Sequence, residues 1–361
     1  MNTAVQNRAG TERSPQTAQS MFGLAKLEAK EGIWGTRVEI PRPGKDDVLI
    51  RIKRTAICGT DVHIYKWDEW AARTIPVPMI VGHEFSGEIV ELGANVTRPL
   101  KVGQRVSGEG HIIDLNSAAS RAGKFHLDPG TRGVGVNRQG AFAEYLVIPA
   151  FNVIELPDDV SDDVGSILDP FGNAVHTAEQ FPLLGEDVLV TGAGPSGIMA
   201  AAVARRAGAR SVVLTDVNDY RLKLATTIAD ITPVNVARED LRDVMAREGI
   251  KNGFGVALEM SGVQSAIQQG FDVLAMGGKM SMLGISSGKM AVNWSDIILK
   301  ALTVRGVYGR EMFGTWQKML GLLHSGLDLE PLITHRLPID RFQEGFTVMC
   351  SGQSGKVTLA W

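Results

Sequence analysis

Cysteine is almost absent from this chain: Cys58 and Cys350 are the only two among 361 residues. That scarcity excludes a disulfide framework and any zinc site built on four thiolates, and it makes a reducing cytoplasm the expected compartment. Long apolar runs are missing as well. Nothing approaches the roughly 18 consecutive apolar residues of a membrane span. The opening MNTAVQNRAGTERSPQTAQS lacks the apolar core of a secretory signal, so a disordered polar tail is expected over residues 1–20. Neither sign of charge prevails: 37 Lys and Arg stand against 40 Asp and Glu, with no basic block and no acidic tail. Nucleic acid and anionic membrane are therefore not expected partners; a small-molecule substrate is.

What is present suits an ordinary globular protein. With 44% hydrophobic and 21% charged residues the chain can bury a large core, and its length predicts two domains. DVLIRIKRTAIC (47–58), EFSGEIVELG (84–93) and FAEYLVIP (142–149) alternate apolar and polar residues, as half-buried antiparallel strands do. The pattern changes near residue 168. The strands DVLVTGAG (187–194), SVVLTD (211–216), GVALEMSG (255–262), GGKMSMLGI (277–285) and LTVRGVYG (302–309) alternate with helical stretches such as SGIMAAAVARRAG (196–208) and VNDYRLKLATTI (217–228). Alternating strands and helices predict a parallel sheet covered on both faces. The expected division is a β-barrel-like domain over 21–167, completed by 311–361, around an α/β domain over 168–310.

GAGPSG places Gly192, Gly194 and Gly197 in a G-x-G-x-x-G directly after a strand and at the start of a helix. The first glycine permits the turn, the second the approach of a pyrophosphate, and the third close packing of helix on strand. Asp216 ends the next strand nineteen residues beyond Gly197, where a carboxylate meets the adenosine ribose and disfavours a 2′-phosphate. NAD is the expected cofactor. Arg221 can stack on adenine, pair with Asp216 or meet a 2′-phosphate.

Cys58, Thr60 and His63 lie in AICGTDVHIYKWDEW, and His83 and Glu84 in VPMIVGHEFSGEIV. Sulfur, imidazole and carboxylate are the donors of a catalytic zinc with one open position. Asp114, Ser117, Ser120 and Asp128 follow at offsets of three, three and eight, the spacing of a four-cysteine zinc lobe without its cysteines.

GHEFSGEIVELG, with Ile89 where valine is usual, and GQRV (103–106) give the chain a resemblance to the zinc-dependent medium-chain dehydrogenase family. TAICGTDVHIYKWDEW, DPFGNAVHTA, TDVNDYRLKLA and VYGREMF narrow it to a threonine-oxidising branch. The resemblance implies a GroES-like β-barrel catalytic domain, a Rossmann doubly wound parallel-sheet domain and a homotetramer. It implies Cys58, His83 and Glu84 as ligands of a catalytic zinc, Thr60 and His63 as a proton relay, Asp169 beside the metal, and His111 in substrate selection. It places NAD contacts at Ser196, Asp216, Arg221, Leu283, Gly284, Ile285, Val307 and Tyr308. The implied reaction is oxidation of the 3-hydroxyl of threonine, or a close β-hydroxy amino acid, to 2-amino-3-oxobutanoate.

The family carries a structural zinc on four cysteines where Asp114, Ser117, Ser120 and Asp128 now stand. Two hydroxyls and two carboxylates make a poor zinc site, so about one zinc per chain is expected. A polyol or butanediol dehydrogenase and a non-catalytic dinucleotide sensor are the rival readings. His126 is expected to be an exposed loop residue and Cys350 a small buried one; His176, His324 and His335 are expected to be structural or superficial.

Overall fold

The computed structural model describes residues 19–286 and 288–361. The long strand Asp47–Ala56 is the hub of the first half. It pairs antiparallel with Glu84–Leu92, Tyr145–Pro149 and, from the far end of the chain, Lys356–Ala360, which itself pairs parallel with Ile333–Pro338. Its inward residues Val48, Ile50 and Ile52 join Phe85, Ile89, Val106, Leu146 and Ile148 in one core. A second sheet of Ser20–Lys26, Trp34–Glu39 and Met79–Ile80 closes the side.

The parallel sheet contains β1 (Asp187–Thr191), β2 (Ser211–Asp216), β3 (Thr232–Asn235), β4 (Phe254–Glu259), β5 (Leu274–Met282) and β6 (Thr303–Gly306), in the order β3-β2-β1-β4-β5-β6. Side chains alternate across it. Val188, Val190, Val212, Leu214, Val256 and Leu258 enter one apolar cluster, while Leu189, Val213 and Ala257 enter another on the opposite face. Both faces are covered, as continuous apolar strands require.

The helix Pro195–Arg206 begins with Gly194 as N-cap and Pro195 in its first turn, where proline's missing N–H costs nothing. Ala200, Ala201, Ala202 and Ala204 are buried along it, and Gly208 beyond its end takes φ +89°. The helix Leu168–Ala178 packs beside it, and Trp316 and Met319 of the helix Gly314–His324 enter the same cluster.

Several expectations change. Ser20 opens a strand opposite Glu39, so it is not part of a tail; residues 1–18 lie outside the described residues. FAEYLVIP is a strand only from Tyr145, because Phe142 bonds across toward the other sheet, its N–H donating to the Val81 carbonyl and its carbonyl accepting the Leu24 N–H. The helix predicted over 217–228 is Asp219–Ala225; Thr226 and Thr227 turn their hydroxyls back onto the carbonyls of Lys223 and Leu224. Strand β3 was not foreseen: Pro233 masks it, and it is tolerated at the sheet's edge. Cys350 is exposed, not buried.

Candidate active site

Cys58 caps the N-terminus of the helix Gly59–Lys66, and Asp61, three residues on, accepts the Cys58 N–H at 2.9 Å. The hub strand ends just before it, and its register sets Ala56 opposite Glu84. That pairing carries His83 and Glu84 to Cys58. Gly82 makes the approach possible at φ +87°, since a Cβ there would lie 2.1 Å from the Phe142 ring.

Cys58, His83 and Glu84 each offer one ligand atom, and the three atoms lie within 4.8 Å of one another. Glu84 is fully buried, with Oε2 accepting from Lys356 Nζ at 2.5 Å while Oε1 has no partner. His83 Nδ1 is likewise without a hydrogen bond, 3.8 Å from the unpartnered Asp61 Oδ1. Buried polar atoms left unpaired are costly, and a divalent cation held by Cys58, His83 and Glu84 would satisfy Glu84 Oε1. The donor set fits zinc with an open position.

Asp169 stands beside this cluster but outside it. Its Oδ2 accepts from Arg310 Nη2 at 2.5 Å, and Arg310, fully buried, also donates to Glu109 Oε1 at 2.7 Å. Glu109 takes the His111 ring Nδ1 at 2.7 Å and the Trp316 indole N–H at 2.9 Å. Burial by itself would raise the Glu109 carboxyl. The Arg310 guanidinium and the donors of His111 and Trp316 outweigh it and hold the pKa at about 2. Arg310 shifts upward, its burial overcome by Asp169 and Glu109. His111 is thereby fixed with its ring 6.2 Å from that of Tyr308.

Thr60 Oγ1 lies 3.9 Å from Cys58 Sγ. His63 sits on the outer side of the same helix, its Nδ1 2.5 Å from Asp68 Oδ2. The two are not hydrogen-bonded to each other in this arrangement; His63 faces solvent and Thr60 the thiol.

All the expected NAD positions lie at the carboxyl ends of the parallel strands, where ligands of such sheets bind. Gly192 follows β1 at φ +93°, and a Cβ on Gly197 would lie 1.8 Å from the Gly192 carbonyl oxygen. Gly194 has open space in front of it, and the helix it starts has no side-chain cap, so its first N–H groups are free for a phosphate. Ser196 is in that first turn. Asp216 ends β2 and accepts from Ala193 N at 2.6 Å, tying the strand to the glycine turn. Arg221 lies beyond it with an unpartnered buried Nε. Leu283, Gly284 and Ile285 follow β5, and Val307 and Tyr308 follow β6. The cradle fits a dinucleotide.

In the altered lobe, Asp128 Oδ2 accepts the Asp114 N–H at 2.8 Å and Oδ1 that of Gly130 at 3.2 Å. Ser117 Oγ accepts from Ser120 N and meets Ser120 Oγ, both at 3.1 Å. Hydrogen bonds thus close the loop where the family has metal. His126 is not the exposed residue expected: it is half-buried, its ring 5.5 Å from that of His176.

Known proteins share this architecture. Residues 44–158 match the alcohol dehydrogenase GroES-like domain, and residues 195–325 match the zinc-binding dehydrogenase model. The chain belongs to the zinc-binding dehydrogenases. An L-threonine 3-dehydrogenase from Ruegeria pomeroyi is 62% identical over 342 residues, covering 94% of this chain and 100% of that one. One from Shewanella baltica is 60% identical over 343 residues with the same coverage. A crystal structure of 2R,3R-butanediol dehydrogenase from Bacillus subtilis superposes with a TM-score of 0.85 at 25% identity, covering 94% and 99% of the two chains. Within this family member, sequence reasoning missed Asp61, Glu109, Arg310, Trp316 and Lys356. Asp61 carried a signal, the acidic residue three places after a helix cap. Arg310 sits inside the string VYGREMF, but for it and for Glu109, Trp316 and Lys356 only burial marks the residue.

Proposed function

We propose that this chain oxidises the 3-hydroxyl of L-threonine to 2-amino-3-oxobutanoate, with NAD as hydride acceptor and one catalytic zinc on Cys58, His83 and Glu84. The reading rests on full-length relatives at 60–62% identity, set beside a sulfur–imidazole–carboxylate cluster whose buried oxygen and nitrogen atoms lack partners. Zinc there supplies Lewis-acid polarisation of the substrate hydroxyl, and NAD supplies the acceptor carbon.

The chain's own residues do the rest. Thr60 Oγ1, next to the thiol, takes the hydroxyl proton as it gives its own to His63 Nε2, and His63 releases that proton to solvent, after a small movement of their side chains. Asp68 holds the His63 Nδ1 proton, so that Nε2 is left to receive. Asp169, clamped by Arg310, presents its carboxylate beside the reacting hydroxyl without ligating. His111, oriented by Glu109, faces the substrate next to Tyr308. Gly192, Gly194, Ser196 and Gly197 hold the pyrophosphate, and Asp216 the ribose. Leu283, Gly284, Ile285, Val307 and Tyr308 line the nicotinamide end, and Arg221 covers the adenine.

The catalytic domain spans 21–167 and 311–361 and the NAD-binding domain 168–310. Two copies join along β6, whose residues are all exposed beside the exposed Trp294, Ile298 and Leu299, as a step toward a homotetramer. A reducing cytoplasm suits the two free thiols.

A substrate panel tests the activity. L-Threonine, 2,3-butanediol and sorbitol are assayed with NAD and NADP by absorbance of the reduced cofactor. L-Threonine with NAD is expected to show the highest kcat/KM; a butanediol preference, or a kcat/KM ratio favouring NADP, overturns the corresponding part.

A further inference from the structure

A second cluster of metal-binding side chains lies away from Cys58. His126, His176 and Glu311 each offer one ligand atom, all within 4.8 Å of one another. They come from three separate parts of the chain: the short 3-10 turn Phe125–Leu127 of the altered lobe, the helix Leu168–Ala178, and the segment that follows β6. His176 is buried and its Nδ1 lies 3.0 Å from the Gly309 carbonyl oxygen. A carbonyl only accepts, so Nδ1 carries the proton and Nε2 keeps a free lone pair. That arrangement, a ring N–H given to a backbone carbonyl, is what orients imidazoles for metal.

We propose that His126, His176 and Glu311 form a second divalent-metal site, selective for zinc-like transition ions, which fastens the altered lobe to the segment carrying Tyr308 and Arg310. Two imidazoles and one carboxylate suit Zn²⁺ and disfavour Mg²⁺ and Ca²⁺, which prefer all-oxygen cages. Neighbouring ligand atoms in a tetrahedral site stand about 3.3 Å apart, so the three must close in slightly. Glu311 is exposed and free to swing, and His126 is on a single turn. The fourth position is left to water.

The surroundings hold the three in register without metal. Phe151 packs edge-on against both Phe125, at 5.6 Å, and Phe313, at 5.0 Å, so the residues flanking His126 and Glu311 share one aromatic clasp. The lobe's four altered positions are already occupied with one another's hydrogen bonds, and they supply none of the ligands. The bound ion would add a link between the loop and residues 309–311, where Gly309 bonds His176 and Arg310 holds Asp169. The expectation of one zinc per chain then applies to the Cys58 centre alone.

Metal analysis decides. Full-length protein in a Cys350→Ser background is dialysed against excess Zn²⁺, desalted and analysed by mass spectrometry of the metal. Two zinc ions per chain are expected, falling to one in His126→Asn and in Glu311→Gln, and staying at two in Asp128→Asn. Saturation at one, or a second ion that survives both His126→Asn and Glu311→Gln, refutes the site; so does loss of the second ion in Asp128→Asn alone. Glu311 is exposed, so its variant tests the site even if His126→Asn folds poorly. Co²⁺ gives an independent reading: the Cys58 centre carries a thiolate charge-transfer band, and the second equivalent should add visible ligand-field absorption without increasing that band. A second equivalent that adds only charge-transfer intensity counts against the proposal.

Discussion

Glu109 shows what a single buried carboxylate does here. It has no solvent, yet it stays ionised because Arg310, His111 and Trp316 all direct positive charge or N–H groups at it. Its folded pKa of about 2 lies below the ordinary 4.5, so the folded form releases the proton more readily than the unfolded chain. The stability this contributes is complete above pH 4.5 and is lost as pH falls toward 2, an effect of about 3 kcal/mol. Urea melts at a series of pH values should show that decline in the native protein and a shallower one in Glu109→Gln. The variant should also lose about 1–3 kcal/mol at neutral pH, as Arg310 keeps only Asp169 at full strength. Equal acid slopes for both proteins would contradict the assignment. His63 offers a kinetic counterpart. His63→Ala should lower kcat about 100-fold with little change in NAD affinity, and Asp68→Asn should reproduce part of that loss and shift the kcat–pH profile. An unchanged profile in Asp68→Asn would mean the His63–Asp68 contact plays no part in proton transfer.

Between elements, the tightest constraint is the glycine turn after β1. An added methyl group at position 197 would meet the Gly192 carbonyl at 1.8 Å, an overlap that only movement of the turn or the helix relieves. Gly197→Ala should therefore weaken NADH binding at least tenfold and cost about 1–3 kcal/mol of stability. Fluorescence titration and thermal melts check the two effects separately; native affinity would show the turn to be slack. This element was readable in the sequence because its requirements are local: a strand, a turn, a helix start and a carboxylate at fixed spacing. The edge strand β3 was not, because Pro233 is a poor strand former and only its neighbour β2 makes the strand. The limits of the helix Asp219–Ala225 depend on hydroxyl-to-carbonyl bonds that compete with helix propagation, and no periodicity records them.

Across the molecule, the metal cluster and the dinucleotide cradle belong to different sheets, joined through Gly110, Asp169 and Arg310. A Cβ on Gly110 would lie 3.8 Å from Asp169 Oδ2 and 3.9 Å from the His83 carbonyl oxygen. Loss of the Cys58 centre should thus stop turnover without abolishing cofactor binding. Prolonged chelation is expected to remove activity while NADH still binds, with Zn²⁺ restoring turnover; full activity in the chelated protein would exclude the zinc mechanism. No helix among the described residues is long and apolar enough to cross a membrane.

Short-range groupings were legible before any folding: Cys58 with Thr60 and His63, the adjacent His83 and Glu84, and the three glycines each lie within a few residues, and Asp216 ends the next strand nineteen residues beyond Gly197. The α/β pattern was legible for the same reason, since periodicity is local. Which charges would be buried was not. Lys356 reaches Glu84 from 272 positions away and Arg310 reaches Glu109 from 201, and a buried charge is tolerable only once its partner has arrived. His126 was misread as exposed because its neighbours, His176 and Glu311, come from elsewhere in the chain. Composition and spacing settle what a residue can do; the company that decides whether it does so is assembled only when distant strands and helices pack.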